Sequence, residues 1–250
     1  MLINILIKFL RKVFDASGEH WDDYDGQIIE VCQFSSNTRK NWNFVIDSLY
    51  LLEDVQLAKE NFGRFNLSGP TKYDDIGEQY LRLYGIYNAC YLEKQAIFKI
   101  MKVLGLSFDE ARINRLSLFE FRKYFGSHTV NVGHKGYEHS YILDRSTLSN
   151  GQIEGYSSNI ESGHRSIKGD ISAQINEWNN VLEEQLFAVC QFLLERLKAV
   201  IGEKASKFGT TFNRIQKLYS KEYFSFGGDI WTENFHAIKI SPAQGIHESN

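Results

Sequence analysis

Arg122 and His128 bracket the run Phe121-Arg122-Lys123-Tyr124-Phe125-Gly126-Ser127-His128 and set a fixed positive charge and a titratable imidazole at one predicted helix end, nearly two turns apart. That pairing suits phosphodiester chemistry. An arginine neutralises a phosphate bidentately, and an imidazole moves a proton to or from a ribose 2′-hydroxyl or the leaving oxygen without a metal. An Arg–His gap of this size arises by chance about once in a chain of this composition, so the weight rests on placement. The pair closes a helix that follows one long helix and precedes another. The competing reading is structural: Arg122 pairs with Glu120 or Asp109 at the surface, and His128 ends a helix, where an imidazolium favours the negative pole of the dipole.

Two further groups of residues invite a functional reading. His164, Arg165 and Lys168 form a small basic group in a stretch read as a Gly/Ser-rich loop; placed near His128, Arg165 and Lys168 would extend a track for an RNA backbone. His128, His134 and His139 fall close together with only Glu138 nearby and no matching cysteines, which favours loop histidines over a metal site. No metal or cofactor is expected. The chain has no phosphate-binding glycine loop, no dinucleotide fingerprint, no Gly-x-Ser-x-Gly elbow and no His-Glu-x-x-His helix, so the common nucleotide hydrolases, dehydrogenases and hydrolases of those types lose support.

The elements that must position these residues are mostly helical. Leu2 to Phe14 make an amphipathic helix with Lys8, Arg11 and Lys12 on or beside its polar side. It is read either as packing on the protein or as docking to a membrane surface or partner. Residues 15–40 read as connection, with a short strand or helical turn somewhere in Gln27 to Phe34. Apolar residues at three- and four-residue spacing predict a long helix from about 41 to 62. A second begins at the Asp74-Asp75 cap and runs to about 105, and its apolar positions spread over more than one stripe, as a central helix requires. A third opens at Ser107 or Asp109 and ends between Tyr124 and His128. Residues 129–169 change character, and the Ser149-Asn150-Gly151 turn between Ser140–Thr147 and Gln152–Ser158 predicts a β-hairpin. A fourth long helix follows Asp170 and ends at Gly202, a shorter one spans about 205–223, and the remaining tail reads as irregular. The expected fold is therefore an all-α helical bundle of four to five long helices with an inserted β-hairpin at about 140–158, in a single domain over residues 1–250.

Composition sets the outer bounds. The chain has 250 residues, 43% of them apolar and 24% charged, which is the balance of a folded protein and excludes general disorder. A net charge of −3 means that any nucleic-acid site is a local basic patch. Only two prolines, Pro70 and Pro242, interrupt it, favouring long helices. Cys32, Cys90 and Cys190 are odd in number and widely spaced, as reduced core thiols are. No segment reads as a signal peptide or as a spanning helix, which points to the cytoplasm.

From about Trp42 to Leu197 the chain resembles the HEPN family, the small helical bundles of prokaryotic toxins, defence systems and CRISPR ribonucleases. The resemblance rests on the run Tyr84-Gly85-Ile86-Tyr87-Asn88-Ala89-Cys90 and on Arg122 and His128, which match the family's Arg-x4–6-His motif. It implies a homodimer whose two motifs face each other across the interface and form one metal-independent endoribonuclease site. Arg122 would bind the scissile phosphate and His128 would serve in acid–base catalysis; Lys123 would contact RNA beside them, and so would Arg165 and Lys168 if the fold sets them near His128, being otherwise part of an ordinary solvated loop. The same resemblance allows an antitoxin or regulatory protein partner. Active members usually carry Asn, Asp or His directly after the arginine; here Lys123 stands there, able to bind phosphate but unable to accept a hydrogen bond while charged. That departure keeps a second reading open, a non-catalytic dimerisation or nucleotide- or protein-binding module. A third reading, membrane activity through the N-terminal helix, is the least favoured.

Overall fold

The computed structural model describes residues 2–17, 31–32, 38–69, 75–126, 139–159, 163–220, 223–226, 229–232 and 237–238. The chain is mostly helical, with a small three-stranded antiparallel sheet inserted between helices. Its contacts group it into two compact units, residues 33–189 in one and residues 1–32 with 190–250 in the other.

The larger unit is built on two paired helices, α2 (Thr38–Phe65) and α3 (Ile76–Val103). Asp75 begins α3 as the acidic run predicts, its side chain accepting from the Glu78 backbone N–H at 2.8 Å. Leu83, Ile86, Tyr87, Cys90, Ile97 and Met101 form one buried stripe along α3, which Ala96, Phe98 and Ile100 widen, while Leu81 and Leu92 are exposed. The helix expected to be central from its spread apolar pattern thus buries a broad face but not every side. Long helix α6 (Ile171–Ile201) begins in this unit, capped by Asp170, whose carboxylate accepts from the Ala173 N–H.

One buried polar cluster ties these three helices together. Glu93 of α3 is fully buried and accepts from Gln56 and Lys59 of α2 and from the Trp178 indole of α6 at 2.6 Å. Lys59 also donates to Asn179 at 2.7 Å. Burial pushes the Glu93 carboxyl up, and Lys59 and the other donors pull it back towards the ionised form. A charge so placed tolerates few arrangements of its neighbours, so it fixes the mutual rotation of the helices.

The region expected as one third helix is three pieces: α4 (Glu110–Asn114), α5 (Ser117–Phe121) and a π-helical turn at Arg122–Gly126. Asp109 caps the first, as predicted. The reason for the breaks is geometric. On one continuous helix Leu118, Phe121 and Phe125 would lie about 80° to 140° round from Ile113. All four are buried, and extended backbone at Leu116 (ψ 140°) re-aims the chain so that they can be.

The predicted hairpin is present and is part of something larger. Strand β1 (His139–Leu143) pairs with β2 (Gln152–Asn159) across a 3₁₀ turn at Arg145–Asn150, and β2 pairs in turn with β3 (Gly163–Asp170), all antiparallel. The stretch read as a Gly/Ser-rich loop carrying His164, Arg165 and Lys168 is therefore a strand. Its Ser and Gly residues conceal the alternation by which strands are recognised. Gly155 and Gly169 seat this sheet on the helices: a Cβ at Gly155 would collide with the Phe125 ring, and one at Gly169 would stand 2.6 Å from the Phe121 ring.

In the smaller unit, α1 (Leu2–Ser17) packs on α7 (Ser206–Tyr219), with Phe9 and Phe212 ring centroids 5.5 Å apart. Leu6, Leu10, Val13 and Phe14 of α1 are wholly buried, which is the packing reading of this amphipathic helix rather than the surface-docking one. Three short strands follow α7, β4 (Tyr223–Phe226), β5 (Asp229–Thr232) and β6 (Ala237–Ile238), the last two of them in the tail from Gly227 expected to be irregular. Among the described residues no helix is long and apolar enough to cross a membrane.

Candidate functional site

Helix α3 supplies the floor of the site. Tyr80, Tyr84, Asn88 and Tyr91 recur at four, four and three residues, so they share one face. The π-helical turn lies against that face, close enough that a Cβ on Gly126 would sit 3.4 Å from the Cβ of Tyr87. A π turn widens the backbone by one residue and redirects the side chains after it, and such turns are frequent at functional sites.

The result is a pre-set arginine. The Arg122 Nε donates to Asn88 Oδ1 at 3.2 Å, and its guanidinium carbon stands 3.7 Å from the centre of the Tyr91 ring. A second cation shares that ring: Lys94 Nζ is 4.8 Å from the Tyr91 centroid and 4.5 Å from that of Phe119, and it donates to Asn114 Oδ1 at 2.6 Å. Burial of Lys94, with the Arg122 and Lys123 charges adding to it against Glu110, brings its ammonium down to about 8. The three cations thus raise the local positive potential together, and an anion there would relieve their repulsion. Lys123 itself is exposed. An arginine held at Nε and stacked on an aromatic ring has lost most of its rotamer freedom, so its terminal nitrogens suit a bidentate phosphate contact.

Of the residues nominated from sequence, Arg122 and Lys123 are brought together with Lys94. The other two stand on β3. Lys168 faces Glu154 across the strand pair and binds its carboxylate at 2.9 Å, while Arg165 is exposed opposite Ser157. No hydrogen bond, ion pair or ring contact joins either of them to Arg122 or Lys123 among the described residues. His128 and His134 lie outside those residues, as does Glu138; His139 is the first residue of β1. No group of three or more metal-ligating side chains occurs among the described residues.

Sequence reasoning missed Asn88, Tyr91 and Lys94 as site residues. Their signal was the helical spacing of polar and aromatic side chains along α3, which was read as extra core. The three cysteines are free and buried, and Cys32 and Cys90 have thiols pushed up to about 12 by burial, which suits inert core positions. No family model, curated protein or solved structure matches the chain.

Proposed function

We propose that this chain is a metal-independent endoribonuclease of the HEPN type, acting as a homodimer in a toxin or antiphage defence setting. The observation that carries the reading is Arg122, anchored by Asn88 and Tyr91 beside Lys94 and Lys123, two positions before Tyr124 and six before His128 in the chain. Arg122 would hold the scissile phosphate and stabilise the charge that builds on it. The His128 imidazole would take the proton from the ribose 2′-hydroxyl as its oxygen attacks phosphorus, or deliver one to the departing 5′-oxygen as the P–O5′ bond breaks. The products would be a 2′,3′-cyclic phosphate and a 5′-hydroxyl.

The test is cleavage of single-stranded RNA by the full chain and its variants. His128→Ala should slow cleavage by about 10²- to 10⁴-fold while leaving RNA affinity unchanged, and Arg122→Ala should weaken both. Equal rates in wild type and His128→Ala would sink the catalytic assignment.

A second reading, a non-catalytic dimerisation or nucleotide- or protein-binding module, is favoured by Lys123, exposed at the position where an acceptor would orient the histidine. Lys123→Asn separates the two readings. A rise in cleavage supports a catalytic site held back by lysine, and no cleavage in a folded dimer of either form supports the module.

A further inference from the structure

We propose that the cleft between the N-terminal half of α3 and the π-helical turn is a base-binding subsite for single-stranded RNA, in which one nucleobase stacks on tyrosine and Arg145 meets the adjoining phosphate. The cleft holds about 190 Å³ and is lined chiefly by Tyr80, Tyr84, Tyr124, Phe125, Tyr141 and Arg145. On one side the Tyr80 and Tyr84 rings stand 5.6 Å apart, and on the other Tyr124 and Tyr141 stack with centroids 4.1 Å apart and planes 15° from parallel. All four tyrosines are only half-buried, although the core close by accommodates Phe119, Phe121 and Phe125 fully. Rings left at a surface, one pair tilted by 45° and the other stacked, offer what an unpaired base needs, a flat apolar face.

Size and charge narrow the occupant. The space is below the roughly 300 Å³ at which pockets begin to take drug-sized ligands, so it suits one planar ring system. Its lining contains one cation and no carboxylate. Arg145 is exposed and makes no ion pair among the described residues. Arg122 and Lys123 stand on the same turn as Tyr124, so a polyanion crossing the turn would meet cations beside the rings. Burial and the neighbouring Tyr141 push the Tyr124 phenol up to about 12, which keeps its hydroxyl neutral.

This inference rests on the RNA reading above, and the experiment separates their failures. The full chain would be titrated with two labelled strands of equal length and charge, a 2′-O-methyl oligouridylate that cannot be cleaved and its abasic counterpart. Wild type should prefer the base-bearing strand by about 5- to 100-fold, the range that stacking of a base on an aromatic side chain gives. Tyr80→Leu and Tyr141→Leu should each remove most of that preference with abasic binding unchanged, and Tyr141→Phe should keep it. Equal binding of the two strands by wild type, or a preference untouched by both leucine variants, would overturn the subsite and leave the RNA reading standing. Wild type binding neither strand would overturn both.

Discussion

Tyr91 is the residue on which the site turns, because its ring positions Arg122 and touches Lys94 at once. Tyr91→Phe should preserve RNA affinity, while Tyr91→Leu should weaken it, because losing a cation–π contact of about 0.5–2 kcal/mol returns the arginine to several rotamers. Anisotropy titration at one salt concentration checks both. Lys94 makes a prediction in pH. The unfolded chain holds this proton to about 10.5, the folded one releases it at about 8, and between those values the unfolded state binds more protons, so this group's contribution to stability rises with pH. Buried thiols act oppositely above about 9, since the folded chain keeps protons that the unfolded one loses. The measurement is therefore a difference. Lys94→Met should be more stable than wild type at pH 7, and its advantage should shrink from pH 8 to 10; an advantage constant with pH would contradict the assignment. At this scale Arg122 could be nominated from its type and its place at a helix end, whereas Asn88 and Tyr91 could not. Nothing in a single sequence says which face of a helix with apolar residues on several sides meets the turn that carries Arg122.

Among elements, the π-helical turn and the sheet it supports do most to shape the site. Gly155→Ala should destabilise the chain by about 1–3 kcal/mol, since the added methyl meets a Phe125 ring that is itself buried, and urea unfolding would measure it. The Glu93 cluster makes a sharper test. Glu93→Ala, which strands the Lys59 ammonium in the interior, should cost about 3–5 kcal/mol, whereas Lys59→Met with Glu93→Leu should come close to neutral. Helix limits were readable where caps and breakers stand, as at Asp75, Asp109 and Gly202. The break at Arg115–Leu116 was not, because it follows from where Leu118, Phe121 and Phe125 must be buried and no glycine or proline marks it. Strand β3 escaped for the complementary reason: Gly163, Ser166 and Gly169 imitate a loop, and only pairing with β2 makes the segment a strand.

For the whole molecule, scarcity of proline and the recurrence of apolar residues at helical spacing were enough to foresee a helical bundle with an inserted hairpin. The grouping into two units was not foreseeable, since the division falls inside α6 at Cys190, with no linker composition to announce it. The proposed homodimer belongs to this scale as well, and it predicts that light scattering returns about twice 28.9 kDa, the mass of one chain. The most direct test of the central claim is the chemistry of the cut ends. Incubated in EDTA with a mixture of single-stranded RNA and transfer RNA, wild type should yield 2′,3′-cyclic phosphate and 5′-hydroxyl termini that His128→Ala does not. Termini of any other kind, cleavage that EDTA abolishes, or no cleavage by a folded, dimeric wild type would contradict it.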